Sequence, residues 1–137
     1  MQSNFARLVS LSTSKDSYQK NKIFDHDLRI NSKKYLEINN SLIPTGRFKN
    51  VKKNIYDFTN FENLKEKLNF FMKYKKKNKI SGFDTTYVIR KNSKNYVGSL
   101  KNDRSNIQID FFSNLPGVQL YTAQGLKYKK KLHPYQG

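Results

Sequence analysis

The chain is 137 residues long, carries 27 Lys and Arg against 10 Asp and Glu for a formal charge of +17, and contains no cysteine. That length fits one domain, and the lack of thiols excludes a disulfide framework, a thiolate metal site and a cysteine nucleophile. No apolar run is long enough for a signal peptide or a membrane span, so the expected address is the cytoplasm.

The positive excess predicts attraction to polyanions that weakens as salt rises. Lys and Asn spread over a solvated surface would produce the same total. Hydrophobic residues make up 36 % of the chain and include ten Phe and nine Tyr, enough for a thin, aromatic core.

Residues 1–22, rich in Ser, Lys and Asn, read as an irregular lead-in to a domain over 23–137, with a short strand at Ala6–Leu11. Leu28 and Ile30, then Tyr35, Leu36 and Ile38, place apolar residues between polar ones, which predicts two strands with a turn at Asn31-Ser32. Pro44-Thr45-Gly46 reads as a turn, and Val51–Phe58 as another extended segment.

Thr59-Asn60-Phe61-Glu62 has the spacing of a capping box, and Phe61, Leu64, Leu68 and Phe71 then share one face of a helix near 61–73. The helix is expected to fade into Lys73–Lys79, a basic run read as a solvated loop and the best single candidate for a phosphate-binding patch.

Four short strands follow, at Thr86–Arg90, Tyr96–Leu100, Ile107–Phe112 and Val118–Thr122, with Asn92–Asn95 suited to a hairpin connection. The expected fold is mainly β, with antiparallel sheets packed as a partial sandwich and one short helix. No internal repeat is visible.

Catalytic patterns are sparse. The two histidines, His26 and His133, are not at metal-ligand spacing; no Gly-rich loop is present, and no nucleophile motif surrounds any serine. The residues alone describe a basic, β-rich domain to which no reaction can be assigned.

Three blocks add more. Asp25-His26-Asp27-Leu28-Arg29-Ile30-Asn31 leads through Tyr35-Leu36 to Leu42-Ile43-Pro44-Thr45-Gly46; Gly82-Phe83-Asp84 follows; Leu115-Pro116-Gly117-Val118-Gln119-Leu120-Tyr121-Thr122 closes the set. In this order they resemble the aldose 1-epimerase (galactose mutarotase) family over roughly residues 23–126. The resemblance implies a galactose mutarotase-like β-sandwich, of which this chain is expected to hold a part, since that domain is more than twice as long.

It also implies chemistry on a monosaccharide such as galactose or glucose. A general base takes the anomeric proton, a general acid protonates the ring oxygen, and the opened sugar recloses on its other face. The reaction needs no cofactor or metal. Carried over position by position, the family's sugar-holding aspartate is Asp84 and its glutamine is Gln119.

The departures concern catalysis. The family's histidine lies in an Asn-His-x-x-Phe-Asn-Leu segment, which corresponds here at best to Phe5–Ser12, where there is no histidine. The glutamate lies in a Cys-Leu-Glu-type strand that is absent from the sequence. His26 falls in a block that the resemblance makes structural, His133 beside Pro134 reads as a loop residue, and Thr85-Thr86 replace the His-Asn usual after the aspartate. No catalytic residue is therefore expected.

Three functions follow. One is a member of the family without its acid and base, with unpaired strand edges open to self-association. The second is a non-catalytic carbohydrate-binding module that holds sugar through Asp84, Gln119 and aromatic stacking. The third is a nucleic-acid binder that uses Lys73–Lys79 and Lys127–Lys131 with nearby tyrosines. It ranks below the others because it leaves all three blocks unexplained.

Overall fold

The computed structural model describes residues 6–7, 25–74, 82–92 and 94–122. Among the described residues nine strands and one helix appear in the order β1 (Ala6–Arg7), β2 (Asp27–Ile30), β3 (Ser32–Ile38), β4 (Pro44–Asn50), β5 (Glu62–Asn63), α1 (Leu64–Tyr74), β6 (Asp84–Ile89), β7 (Tyr96–Asn102), β8 (Ile107–Phe112) and β9 (Gly117–Tyr121). They form a five-stranded sheet, β1-β9-β6-β3-β4, and a four-stranded sheet, β5-β2-β7-β8. Pairing is antiparallel except between β1 and β9.

Both sheets and the helix contribute to one core. Leu28, Ile30 and Val97 come from the four-stranded sheet, Tyr87, Val118 and Leu120 from the five-stranded sheet, and Leu64, Leu68 and Phe71 from α1. Phe83 sits among aromatic rings, edge-on to Phe71 at 4.9 Å and to Phe58 at 5.2 Å, an arrangement that sets the positive ring edge against the negative face. Burial pushes the Tyr87 phenol well above its usual range, and its hydroxyl donates to the Tyr56 carbonyl at 3.1 Å.

The expected turn at Asn31-Ser32 and the expected hairpin connection at Asn92–Asn95 both cross between sheets. Asn31-Ser32 separates β2 and β3, which belong to different sheets, and Asn92–Asn95 carries the chain from β6 in one to β7 in the other. Asn31 holds the corner by donating its side-chain amide to the carbonyls of Arg90 (3.2 Å) and Tyr96 (3.1 Å). The hairpins are β3–β4 and β7–β8.

The Pro44-Thr45-Gly46 signal marks a bulge rather than a turn. Ile38 pairs with Pro44 and Leu36 with Phe48, so β4 carries extra residues there, and Gly46 takes φ +80 without the penalty of a Cβ. The reversal itself precedes it, where Asn39 Oδ1 accepts the N–H groups of Ser41 (2.9 Å) and Ile43 (3.0 Å) and Leu42 adopts φ 62.

Val51–Phe58 is a run of turns rather than a strand. Asn50 and Asn54 capture the local N–H groups of Lys52 and Tyr56, an alternative to ladder bonding, while Val51 and Phe58 bury at either end.

The helix begins later than the Thr59 box predicts. Asn63 is the cap, its Oδ1 accepting from Lys65 N–H at 3.1 Å, while Glu62 is engaged in strand pairing opposite Leu28. Thr59 turns back to Asp57, donating its hydroxyl at 2.7 Å. Leu64, Leu68 and Phe71 are buried as expected, and Phe61 lies outside the helix at 36 % exposure.

Candidate functional site

Strand alternation sorts β6 into two faces. Thr85 and Tyr87 point into the protein, so Asp84 and Thr86 point out. On β9, Val118 and Leu120 are buried, and Gln119 and Tyr121 share the outer face. The register sets Thr86 opposite Gln119 and Asp84 opposite Tyr121. Asp84 and Gln119, 35 residues apart in sequence, become diagonal neighbours on one open sheet face, with Asp84 exposed and Gln119 half-buried.

A chain of hydrogen bonds fixes their orientation. The Thr86 hydroxyl donates to Gln119 Oε1, and Gln119 Nε2 donates to Asp84 Oδ1 at 2.5 Å. With its oxygen held by Thr86, the Gln119 amide has one orientation that serves both partners. One amide N–H and the second carboxylate oxygen then remain available, a donor and an acceptor side by side. Neighbouring sugar hydroxyls, each both donor and acceptor, fit that pair.

The surrounding sequence holds this geometry in place. Phe83 N–H donates to the Thr122 hydroxyl at 2.8 Å and Thr122 N–H to the Phe83 carbonyl at 3.0 Å, clamping the start of β6 to the end of β9. With its ring locked in the aromatic core, Phe83 anchors the residue that carries the carboxylate. At the far end the Ser32 hydroxyl, seated at the β3 bulge, donates to Val88 O at 2.5 Å.

In the sequence Thr86 stands out only as a departure from a family pattern, not as a site residue. The available signal was its spacing: two residues beyond Asp84 on a strand is the same face. Tyr121, opposite Asp84 in register, adds an aromatic residue to that face.

His26 lies elsewhere, before β2 of the other sheet, with its carbonyl accepting Leu64 N–H at 2.9 Å and its Nε2 3.4 Å from Asn102 Nδ2. It is not brought to Asp84 and Gln119. His133 and Lys127–Lys131 fall outside the described residues, as do all but the first two positions of Lys73–Lys79. Among the described residues no group of three or more His, Asp and Glu could hold a metal ion, and no helix is long and apolar enough to cross a membrane.

A sequence model of the family described as aldose 1-epimerase matches residues 12–137. Galactose mutarotases from Sus scrofa and Bos taurus are each 26 % identical over 105 residues, covering 76 % of this chain and 29 % of theirs. The chain thus spans less than a third of the length of these relatives.

Among solved structures, a GalM/aldose epimerase homologue from C. elegans aligns over 78 % of this chain and 31 % of its own, with a TM-score of 0.62 at 21 % identity. A galactose 1-epimerase from Lactobacillus acidophilus aligns over 72 % and 28 %, with a TM-score of 0.57 at 19 % identity. These likenesses show the fold: two largely antiparallel sheets with one short helix, of the galactose mutarotase type.

Proposed function

We propose that this chain, which belongs to the aldose 1-epimerase family, holds a hexose such as galactose or glucose on the outer face of β6 and β9. The observation that carries this reading is the bonded series Thr86–Gln119–Asp84. Asp84 would accept hydrogen bonds from two sugar hydroxyls, Gln119 would donate to a sugar oxygen, and Thr86 acts only by fixing the amide.

Anomer interconversion asks for more than holding. A base must take the anomeric proton while an acid protonates the ring oxygen, each contributing about 10²–10⁴-fold. The family segment carrying the acid corresponds to residues without histidine, so this 137-residue chain is proposed to bind sugar without accelerating the interconversion. Within the protein as a whole, the strand pair would serve an epimerase of carbohydrate metabolism. A cytoplasmic address and self-association through open strand edges accompany this reading.

The test is a titration of the labelled chain with galactose, followed by NMR. The Gln119 side-chain amide and the backbone of 84–86 and 119–121 should shift at millimolar sugar, and Asp84→Ala should abolish the response. No shift anywhere would overturn the reading. Polarimetry on the same sample separates binding from turnover: acceleration lost on Asp84→Ala would make the chain itself an enzyme.

A further inference from the structure

We infer that the end of the sandwich opposite Asp84 is a binding surface for single-stranded nucleic acid. Three connections far apart in sequence converge there: the corner at residues 31–34, the turns at 50–54 that follow β4, and the crossing at 89–92 and 94–95. Asn31 O accepts Arg90 N–H at 3.0 Å, Lys33 O accepts Val51 N–H at 3.0 Å, and Asn92 Oδ1 accepts the N–H groups of Tyr96 (2.9 Å) and Lys94 (3.2 Å).

This stitching gathers Lys33, Lys34, Lys52, Lys53, Arg90, Lys91 and Lys94, all exposed. None of the seven forms an ion pair among the described residues, whereas Arg47, Lys49, Lys67, Lys101 and Arg104 all do. Asp25, Asp27, Glu37, Glu62, Asp84 and Asp103 lie towards the other end of the strands. Asp57 follows the turns at 50–54, and its carboxylate is taken by Thr59 and by the backbone of Lys53; Asp110 is held by Ser99 and Gln108. Seven cations that form no ion pair among the described residues make a surface suited to replacing the counterions of a phosphate chain.

An aromatic platform borders it. Tyr96 and Phe112 pair across β7 and β8 with ring centroids 5.8 Å apart; Phe112 is 60 % exposed, and the Arg29 guanidinium lies 6.0 Å from the Tyr96 ring centroid. The Tyr96 hydroxyl is fixed 2.6 Å from Ser99 Oγ, and Ser113 N–H donates to Asn95 O at 2.8 Å, tying the platform to the Lys94 turn.

Rings and a guanidinium beside a phosphate-binding row suit unpaired bases, whose faces are free to stack. A membrane fits less well. Val51 is buried and Ile89 packs on the core, so these connections offer little to insert into lipid, and Phe112 lies on a strand rather than at a loop tip. β6 spans the distance from Asp84 to this surface, about 17 Å, and the inference is independent of the sugar reading.

The test uses the whole chain and a fluorescent oligo(dT) of about 20 nucleotides, long enough for one site, read by anisotropy across a salt series. Lys33→Gln/Lys52→Gln/Lys91→Gln should weaken binding about tenfold and lower the log–log salt slope by about 2. Phe112→Ala should weaken it about fivefold. The charge-matched Lys65→Gln/Lys101→Gln/Arg104→Gln, at the other end of the strands, should leave affinity within about twofold.

Lysine acetylation of the unaltered chain, which needs no variant to fold, should show oligonucleotide protection at Lys33, Lys52 and Lys91. Equal loss in both triple variants would overturn the inference. So would protection confined to residues 75–79 and 127–131, or binding to phosphatidylserine vesicles without binding to the oligonucleotide.

Discussion

Glu37 shows how single side chains act in this protein. Its carboxylate accepts from Lys49 at 2.6 Å, from the Thr45 hydroxyl at 2.9 Å and from Arg47 at 2.8 Å, and these partners, Lys49 foremost, hold its pKa at about 2. A carboxyl held below its ordinary value of 4.5 favours the folded state above that value, and the contribution disappears as pH falls towards about 2. Glu37→Gln should therefore lower the urea midpoint at neutral pH, and the gap from the unaltered protein should shrink as pH falls below 4.5 and close only as pH passes below about 2. A gap that stays constant with pH would sink this account. Asp84 and Gln119 could be named from their sequence blocks, but their mutual bond could not. It depends on a register set 35 residues apart and on Thr86, whose sequence context suggested only a departure.

At the level of elements, the local chemistry was legible and its partners were not. Asn63, rather than Thr59, caps the helix because β5 draws Glu62 into strand pairing, and Asn63 also donates to Asp27 at 2.8 Å. Asn63→Ala should cost about 1–2 kcal/mol in urea unfolding, through loss of the cap and of that bond. Gly98 shows a constraint that a strand pattern hides. A Cβ there would meet the backbone oxygen of Arg29 at 2.3 Å, so Gly98→Ala must push β7 away from β2. The expected cost is about 1–3 kcal/mol, read from the shift in urea midpoint. A neutral Gly98→Ala would mean that the two strands separate freely.

For the whole molecule, the open edges are the main liability. Among the described residues β4 and β8 each pair on one side only, and both are exposed along most of their length, with Phe48 at 58 %, Ile107 at 57 % and Ile109 at 42 %. The row Leu28–Leu100–Ile109 runs from a buried residue on β2 to an open one on β8, so the inner face continues past its cover. Edges of this kind recruit other chains unless charge opposes it. Sedimentation should show concentration-dependent association that Phe48→Lys reduces, most clearly at high salt, where the +17 charge is screened. A monomer at every concentration and salt would remove self-association from the account.

The sequence by itself determined the family, the β-rich composition of the fold, the helix with its Leu64–Leu68–Phe71 stripe, and the two residues proposed to hold sugar. These depend on local periodicity and short motifs, which neighbouring residues suffice to express. Only the tertiary structure decided that Asn31-Ser32 and Asn92–Asn95 cross between sheets, that Thr86 orients Gln119, and that seven scattered cations share one end of the sandwich. Each depends on strand pairing between distant segments. The free energy that selects that pairing comes from burying Leu28, Phe83, Tyr87 and Val118 together, a choice made by the whole core rather than by any one stretch of chain.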